Sequence, residues 1–471
     1  MVSSNLHELS AVEALGLFRQ RKLSPVELMQ AVIDRAAAVE PSINAFSFSF
    51  FDEAMAAARK AESRYMGHGA KPRAAEGIPL GIKEEMPVKG QPVTSASLIF
   101  KDDIAEHTSP LAARMLRAGA IIHARTTCPE FSCAGFTHSR LFGVTRNPWN
   151  LAFDVGGSSG GAAASLTAGT SMLAGGSDIG GSIRIPASCC GEVGYKPPYG
   201  RVPQDPPFNL DHYCHEGPLA RTVADAALFQ NIIAGPDPHD IVSLRPKVRI
   251  PTLNGDVSGW KMALCVTLGD YIVDDEVASN TRAAANAFRD AGAIVEEVEL
   301  PWSRHEIDLA TRTHFSLLFA AWVKEIYDEH RDLLTTYAIN FAEEMLRIPL
   351  TPLEGMKIEG KIYASLGNLL RNYRILLCPT IALPALEAGN DYMDSRPLIN
   401  GIECELNRDV FLTTVFNICS RCPVMTVPSG LSRDGIPTGL QIVGRTYDDA
   451  SVFTAAAAFE RFRPWSMAPI A

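Results

Sequence analysis

The chain has no excess of positive charge. Among its 471 residues, 43 Lys and Arg stand against 53 Asp and Glu, a formal charge of −10. No basic block breaks that balance, which argues against nucleic acid as a partner. No run of about 18 or more apolar residues occurs, so no segment reads as a membrane-spanning helix. The amino terminus, MVSSNLHELS, lacks a charged start followed by an apolar run. No secretory signal is expected there, and the expected compartment is a reducing cytoplasm. A disulfide framework is missing too. The ten cysteines, Cys128, Cys133, Cys189, Cys190, Cys214, Cys265, Cys378, Cys404, Cys419 and Cys422, are scattered along the chain. Cys419-Ser-Arg-Cys422 has no second pair at zinc-finger spacing, so buried free thiols are expected. A GxSxG elbow is absent, which leaves an α/β-hydrolase Ser-His-Asp arrangement without an anchor. The GGSSGG at 156–161 lacks the Gly-Lys-Ser/Thr ending of a phosphate-binding loop.

What is present describes a globular protein, 46% apolar and 20% charged, with enough chain for a large core. Length by itself suggests about three domains. Ser10 with Glu13, and Ser24-Pro25 with Glu27, are capping-box patterns that open two helices. Met29, Val32, Ile33 and Ala36 form one apolar face of the second, and Pro41 is expected to close it. A third helix is expected over 53–64. Residues 78–82 read as a buried strand, Ser109-Pro110 as a helix start that Gly119 ends, and 120–124 as the next strand. Residues 159–168 read as a small-residue helix. Such alternation predicts an α/β fold with a parallel or mixed sheet covered by helices. Residues 235–259 read as a surface connection. Strands are expected at 261–266 and 293–300 around a helix at 276–291. A helical cover follows at 303–372, then strands at 374–378, 424–427 and 440–443, and a closing helix at 448–462. No internal repeat is found.

The chemistry concentrates between residues 156 and 200, where glycine and serine interleave with apolar residues, unlike a flexible linker. Gly157-Ser158-Ser159 and Gly181-Ser182-Ile183 are candidate nucleophile clusters. Two glycines ahead of Ser182 let successive N–H groups converge on one cavity, as an oxyanion hole requires. A serine nucleophile needs a base, and none of the eleven histidines sits in a motif that ties it to a serine. A lysine serves instead when burial brings its pKa to about 7–8. Lys83, at the end of a buried strand, is the candidate; a surface lysine is the plainer reading.

At these residues the chain resembles the amidase signature family, and the resemblance runs nearly end to end. It is carried by Gly81-Ile-Lys83, Pro129-Glu130-Phe131, the segment from Phe142 to Trp149, and GGSSGG. It continues through the run from Gly176 to Arg184 with Pro186-Ala187, then Lys196-Pro197, Gly200-Arg-Val-Pro203, the run from Gly217 to Arg221, and that from Gly439 to Arg445. The resemblance implies an amidase signature fold, a central mixed β-sheet covered by helices on both faces, as one domain over 1–471. Within it, 1–65 would be N-terminal helices, 66–235 the catalytic core, 236–372 connection and helical cover, and 373–471 a return to the sheet. It implies a Ser–cis-Ser–Lys set: Ser182 as nucleophile, Ser158 as bridging serine after a cis peptide from Gly157, and Lys83 as base. Ser158 rather than Ser159 is selected because it precedes Ser182 by 24 residues, the family's interval. The N–H groups of Ile179, Gly180, Gly181 and Ser182 would form the oxyanion hole, with Asp178 and Arg184 holding the loop.

Three departures stand out. Glu84 replaces an aspartate, Thr126-Thr127-Cys128 replaces Thr-Asn-Met, and the segment at 204–216 is unlike that of many members. Phe131, Ser132, Phe136, Phe208 and His212 are the candidate substrate-pocket residues, with an apolar or aromatic acyl group as the mild preference. The expected activity is cleavage of a small organic amide through an acyl-enzyme, extending to aryl esters or carbamates, without metal or cofactor. A homodimer is left open. The alternative is the A-type subunit of a glutamine-dependent amidotransferase complex.

Overall fold

The computed structural model describes residues 5–253, 256–348 and 350–466. Eleven strands form one mixed sheet. In spatial order they are Phe46–Ser49, Ile121–Thr126, Pro79–Lys83, Leu173–Asp178, His215–Ala220, Val193–Lys196, Val424–Leu431, Pro437–Gly444, Ile375–Pro379, Lys261–Leu264 and Ile294–Glu297. The central strands pair antiparallel. Parallel pairs lie toward both ends. Parallel neighbours need a crossover, and helices supply it. Pro110–Arg117 lies between the strands at 79–83 and 121–126, and Asp275–Asp290 between those at 261–264 and 294–297.

Both N-terminal capping boxes form. The second helix, however, does not stop at Pro41. It runs Pro25–Ile43 and ends where Asn44 turns left-handed at φ 51°. In the last turn a proline forfeits one helical bond, and the Glu40 carboxylate compensates by accepting the N–H of Ala45 and Phe46 at 2.8 and 3.0 Å. Four strands of this sheet were not expected: Phe46–Ser49, Leu173–Asp178, Val193–Lys196 and His215–Ala220. Leu173-Ala-Gly-Gly-Ser-Asp178 has almost no β-forming side chains, so pairing on both edges makes it a strand.

The small-residue helix spans Gly160–Thr167, and all its residues are buried. A Cβ at Gly161 would lie 2.3 Å from Thr127 Oγ1 and 2.4 Å from the Thr127 backbone N. Close approach of this helix to the sheet therefore needs glycine there. All ten cysteines are unpaired, and only Cys133 and Cys404 reach partial exposure. No helix among the described residues is long and apolar enough to cross a membrane.

Candidate active site

Lys83 ends the strand Pro79–Lys83 and is completely buried. Its Nζ donates to Ser158 Oγ at 2.6 Å and to Ser177 Oγ at 2.9 Å, and lies 3.0 Å from Glu85 Oε1. Ser158 follows a cis peptide from Gly157, just ahead of the helix Gly160–Thr167. Ser177 comes from the adjacent parallel strand. The Glu85 carboxylate accepts the hydroxyls of Ser132 and Ser177. Burial by itself would raise the Glu85 carboxyl, but the Lys83 charge and the two hydroxyls outweigh it and hold it below its ordinary value. Glu84 is tied to the backbone instead. Its carboxylate accepts the N–H of Thr94 and Ala96, and burial pushes its carboxyl up.

Ser182 lies in the turn between the strand Leu173–Asp178 and the helix Arg184–Cys190, and is 7% exposed. Its carbonyl accepts the N–H of Ser159 at 3.1 Å, which ties the two serine segments together. The turn is braced from behind. Arg184 meets Asp178 through two 2.9 Å bonds, and donates to Thr413 O at 2.9 Å, Gln441 Oε1 at 2.8 Å and Asn417 Oδ1 at 2.7 Å. Desolvation raises the Asp178 carboxyl, yet Arg184 and Asn417 overcome this and hold it far below the usual range. The hydroxyls of Thr413 and Thr414 donate to Gly180 O at 2.6 and 3.0 Å. With Gly180 O turned away, the N–H groups of Ile179, Gly180, Gly181 and Ser182 find no acceptor among the described residues. Gly181 adopts φ 130°, and a Cβ on it would lie 2.0 Å from Thr413 Oγ1, so no other residue fits. Such unpaired N–H groups beside an accessible hydroxyl can stabilise charge developing on a carbonyl oxygen.

The family profile for Amidase matches residues 27–453. The chain belongs to the amidase family. Among its relatives is an acylamidase of Rhodococcus erythropolis, 33% identical over 99% of this chain and 98% of that protein. The A-type glutamyl-tRNA(Gln) amidotransferase protein of Carboxydothermus hydrogenoformans is 31% identical over 97% of both. The crystal structure of a bacterial aryl acylamidase of the amidase signature enzymes superposes with a TM-score of 0.91, at 32% identity over 98% of each chain. These matches agree with the mixed α/β architecture of this amidase.

Two chambers open on the serines of the amidase. The front one, about 1310 Å³ with its open mouth, is lined by Ser182, Gly157 and Gly180 on its floor and by Phe136, Phe315 and Phe341 on its walls. The rear one, about 1010 Å³, reaches Ser158, Ser177 and Glu85, with Phe131, Phe208 and Trp322 around it. Ser132, Ile179 and Phe319 line both. The expected pocket residues are thus divided: Phe136 in front, Phe131 and Phe208 behind, Ser132 between. His212 lines neither chamber. It lies 3.7 Å from Glu359 and packs against the rings of Tyr213 and His314. With Asp211 and His314 it forms a donor cluster within 4.8 Å, in which His314 Nε2 already bonds Asp211 Oδ1 at 2.6 Å.

Glu85, Ser177 and Glu216 escaped the sequence reading. Glu85 stands two residues past Lys83 in the sequence, but it reaches the lysine through a turn closed by Met86 N–H to Lys83 O, which brings its carboxylate back to 3.0 Å from Nζ. Ser177 and Glu216 lie on two of the unexpected strands, so nothing local marked them.

Proposed function

We propose that this amidase hydrolyses the C–N bond of small organic amides through an acyl-enzyme on Ser182. The contact between Lys83 Nζ and Ser158 Oγ carries this reading, because it joins a buried base to the serine segment that the Ser159 N–H ties to Ser182. With Lys83 as the free amine, Ser182 Oγ attacks the carbonyl carbon and passes its proton to Ser158, whose own proton moves to Lys83. The N–H groups of residues 179–182 receive the oxyanion. As the tetrahedral intermediate collapses, the leaving nitrogen takes a proton from Ser158, and the Lys83 ammonium replaces it. Water then attacks the acyl carbon through the same relay, releasing the acid and restoring Ser182. Glu85 balances the positive charge each time Lys83 is protonated. Aryl esters and carbamates that fit would follow the same course.

The aromatic walls of the front chamber favour apolar or aromatic acyl groups. The ten unpaired cysteines suit a reducing cytoplasm. The 31% identity to an A-type amidotransferase protein supports a second reading, in which glutamine is the substrate and partner subunits are required. Product release from aliphatic amides, anilides, aryl carbamates and glutamine decides between them. The expected result is cleavage of a non-glutamine amide by the purified chain, with kcat lowered by about 10⁴-fold or more in Ser182→Ala. Activity on glutamine alone, and only with partner subunits, would sink the free-standing hydrolase.

A further inference from the structure

The rear chamber holds more carboxyl groups than its surroundings pair. Glu216 lies on the strand His215–Ala220, directly opposite Ser177 on the neighbouring strand. Cross-strand partners share a face, so its side chain lies on the Lys83 side of the sheet. Its Oε2 is buried without a hydrogen-bond partner, and no bond reaches Oε1 among the described residues. Glu85 and Asp205 line the same chamber, and each already has a basic partner. Lys83 pairs with Glu85 at 3.0 Å, and His107 meets Asp205 at 3.1 Å on the exposed rim. Burial, then the charges of Asp205, Glu85 and Asp240, push the Glu216 carboxyl well above its ordinary range. A carboxyl with no partner, set among aromatic rings, suits a cation, which would receive charge-assisted bonds and face the rings of Phe131, Phe208 and Trp322.

Stereochemistry says which half of the substrate reaches it. Given the reading of Ser182 as nucleophile and Ser158 as proton donor, the scissile nitrogen must face Ser158. Ser158 lines the rear chamber, whereas Ser182 lines the front one. The acyl group then occupies the front chamber and the leaving amine the rear. We infer that Glu216 binds a second, cationic nitrogen on the leaving amine, so that monoacylated diamines are preferred over amides of uncharged amines.

The test compares one acyl group on a series of α,ω-diamines of two to six carbons with the same acyl group on n-alkylamines of matched length. At one or more lengths, kcat/KM for the cationic amide should exceed its neutral counterpart by at least about tenfold. Glu216→Gln, equal in size but uncharged, should bring that ratio close to one. The ratio between two acyl groups on one neutral amine, which reports the front chamber, monitors whether the variant is properly formed. Equal rates on cationic and neutral amides, or a preference that survives in Glu216→Gln, would overturn the subsite. Binding of free diamines and alkylamines to the Ser182→Ala protein, measured by calorimetry, repeats the comparison without turnover. Failure of all amide hydrolysis alongside Glu216-dependent diamine binding would remove the catalytic reading and leave the subsite standing; binding without selectivity would remove the subsite itself.

Discussion

Two regions meet over Ser182 and are built on different principles. From residue 154 to 201 every residue is buried except Ser177, Ile179, Gly180 and Tyr199, and three of those four line the chambers. The helices over that segment, Arg304–Leu317, Phe319–His330, Thr336–Leu346 and Pro352–Asn372, bury one face and leave Leu317, Leu346, Leu353, Met356 and Tyr363 exposed. They are laced by outer ion pairs such as Lys361 with Glu306 at 2.7 Å and Arg331 with Glu343 at 3.0 Å. The first region holds a few hydroxyls and N–H groups in one arrangement that its packing over-determines. The second supplies Phe315, Phe319 and Phe341 to the chamber walls from a layer that can be recut cheaply. Reaction type is thus lodged where substitution is costly, and substrate shape where it is not.

The sharpest way to break this contrast is to delete one charge from each region. Arg184→Met leaves Asp178 buried and uncompensated, and should cost about 3–5 kcal/mol in urea denaturation, together with most of the activity. Arg331→Met, in the cover, should cost less than about 1 kcal/mol. Equal losses would show that the two regions do not differ in this way.

A smaller effect, confined to the buried region, depends on pH. Glu192 is buried with Oε2 unpartnered, and desolvation raises its carboxyl from 4.5 to about 8. The folded state therefore holds a proton that the unfolded chain releases near 4.5. The resulting stability is fully present below that pH and is lost as pH rises through about 8. Lys196, lowered to about 7 by burial, acts in the opposite sense between about 7 and its ordinary range, so the informative quantity is the difference between variant and wild type. Glu192→Gln should flatten the decline in melting temperature between pH 5 and 8.5, by an amount worth on the order of 1–3 kcal/mol at the upper end. A parallel pair of curves would refute the assignment.

Glu85→Gln sharpens the comparison inside the site. Without the carboxylate, the charge that Lys83 gains in each half of the reaction is no longer balanced, and kcat/KM should fall by about tenfold or more. An unchanged kcat/KM would reduce Glu85 to a brace for Ser132 and Ser177. The smallest change is expected from Phe341→Ala in the cover. Its ring packs 4.7 Å from that of Phe319, and its loss should alter the preference among acyl groups by less than about tenfold, through KM rather than kcat.

Helix starts were legible because a cap is a local event: Ser10 with Glu13, and Ser24 with Glu27, lie three residues apart and need no distant partner. The end of the second helix was not, since Pro41 is tolerated only because Glu40 reaches forward to Ala45 and Phe46. The glycine and serine motifs are likewise local requirements of backbone shape. Order and identity along the chain were enough to name Lys83, Ser158 and Ser182 together as one candidate set and to assign the family. The strands at 173–178 and 215–220 could not be read that way, because their residues carry little β preference and become strands only through pairing with neighbours far along the chain. Those strands place Ser177 beside Lys83 and Glu216 in the rear chamber. Motifs record what a few neighbouring residues must be; charge balance and cavity shape are sums over segments that only folding brings together.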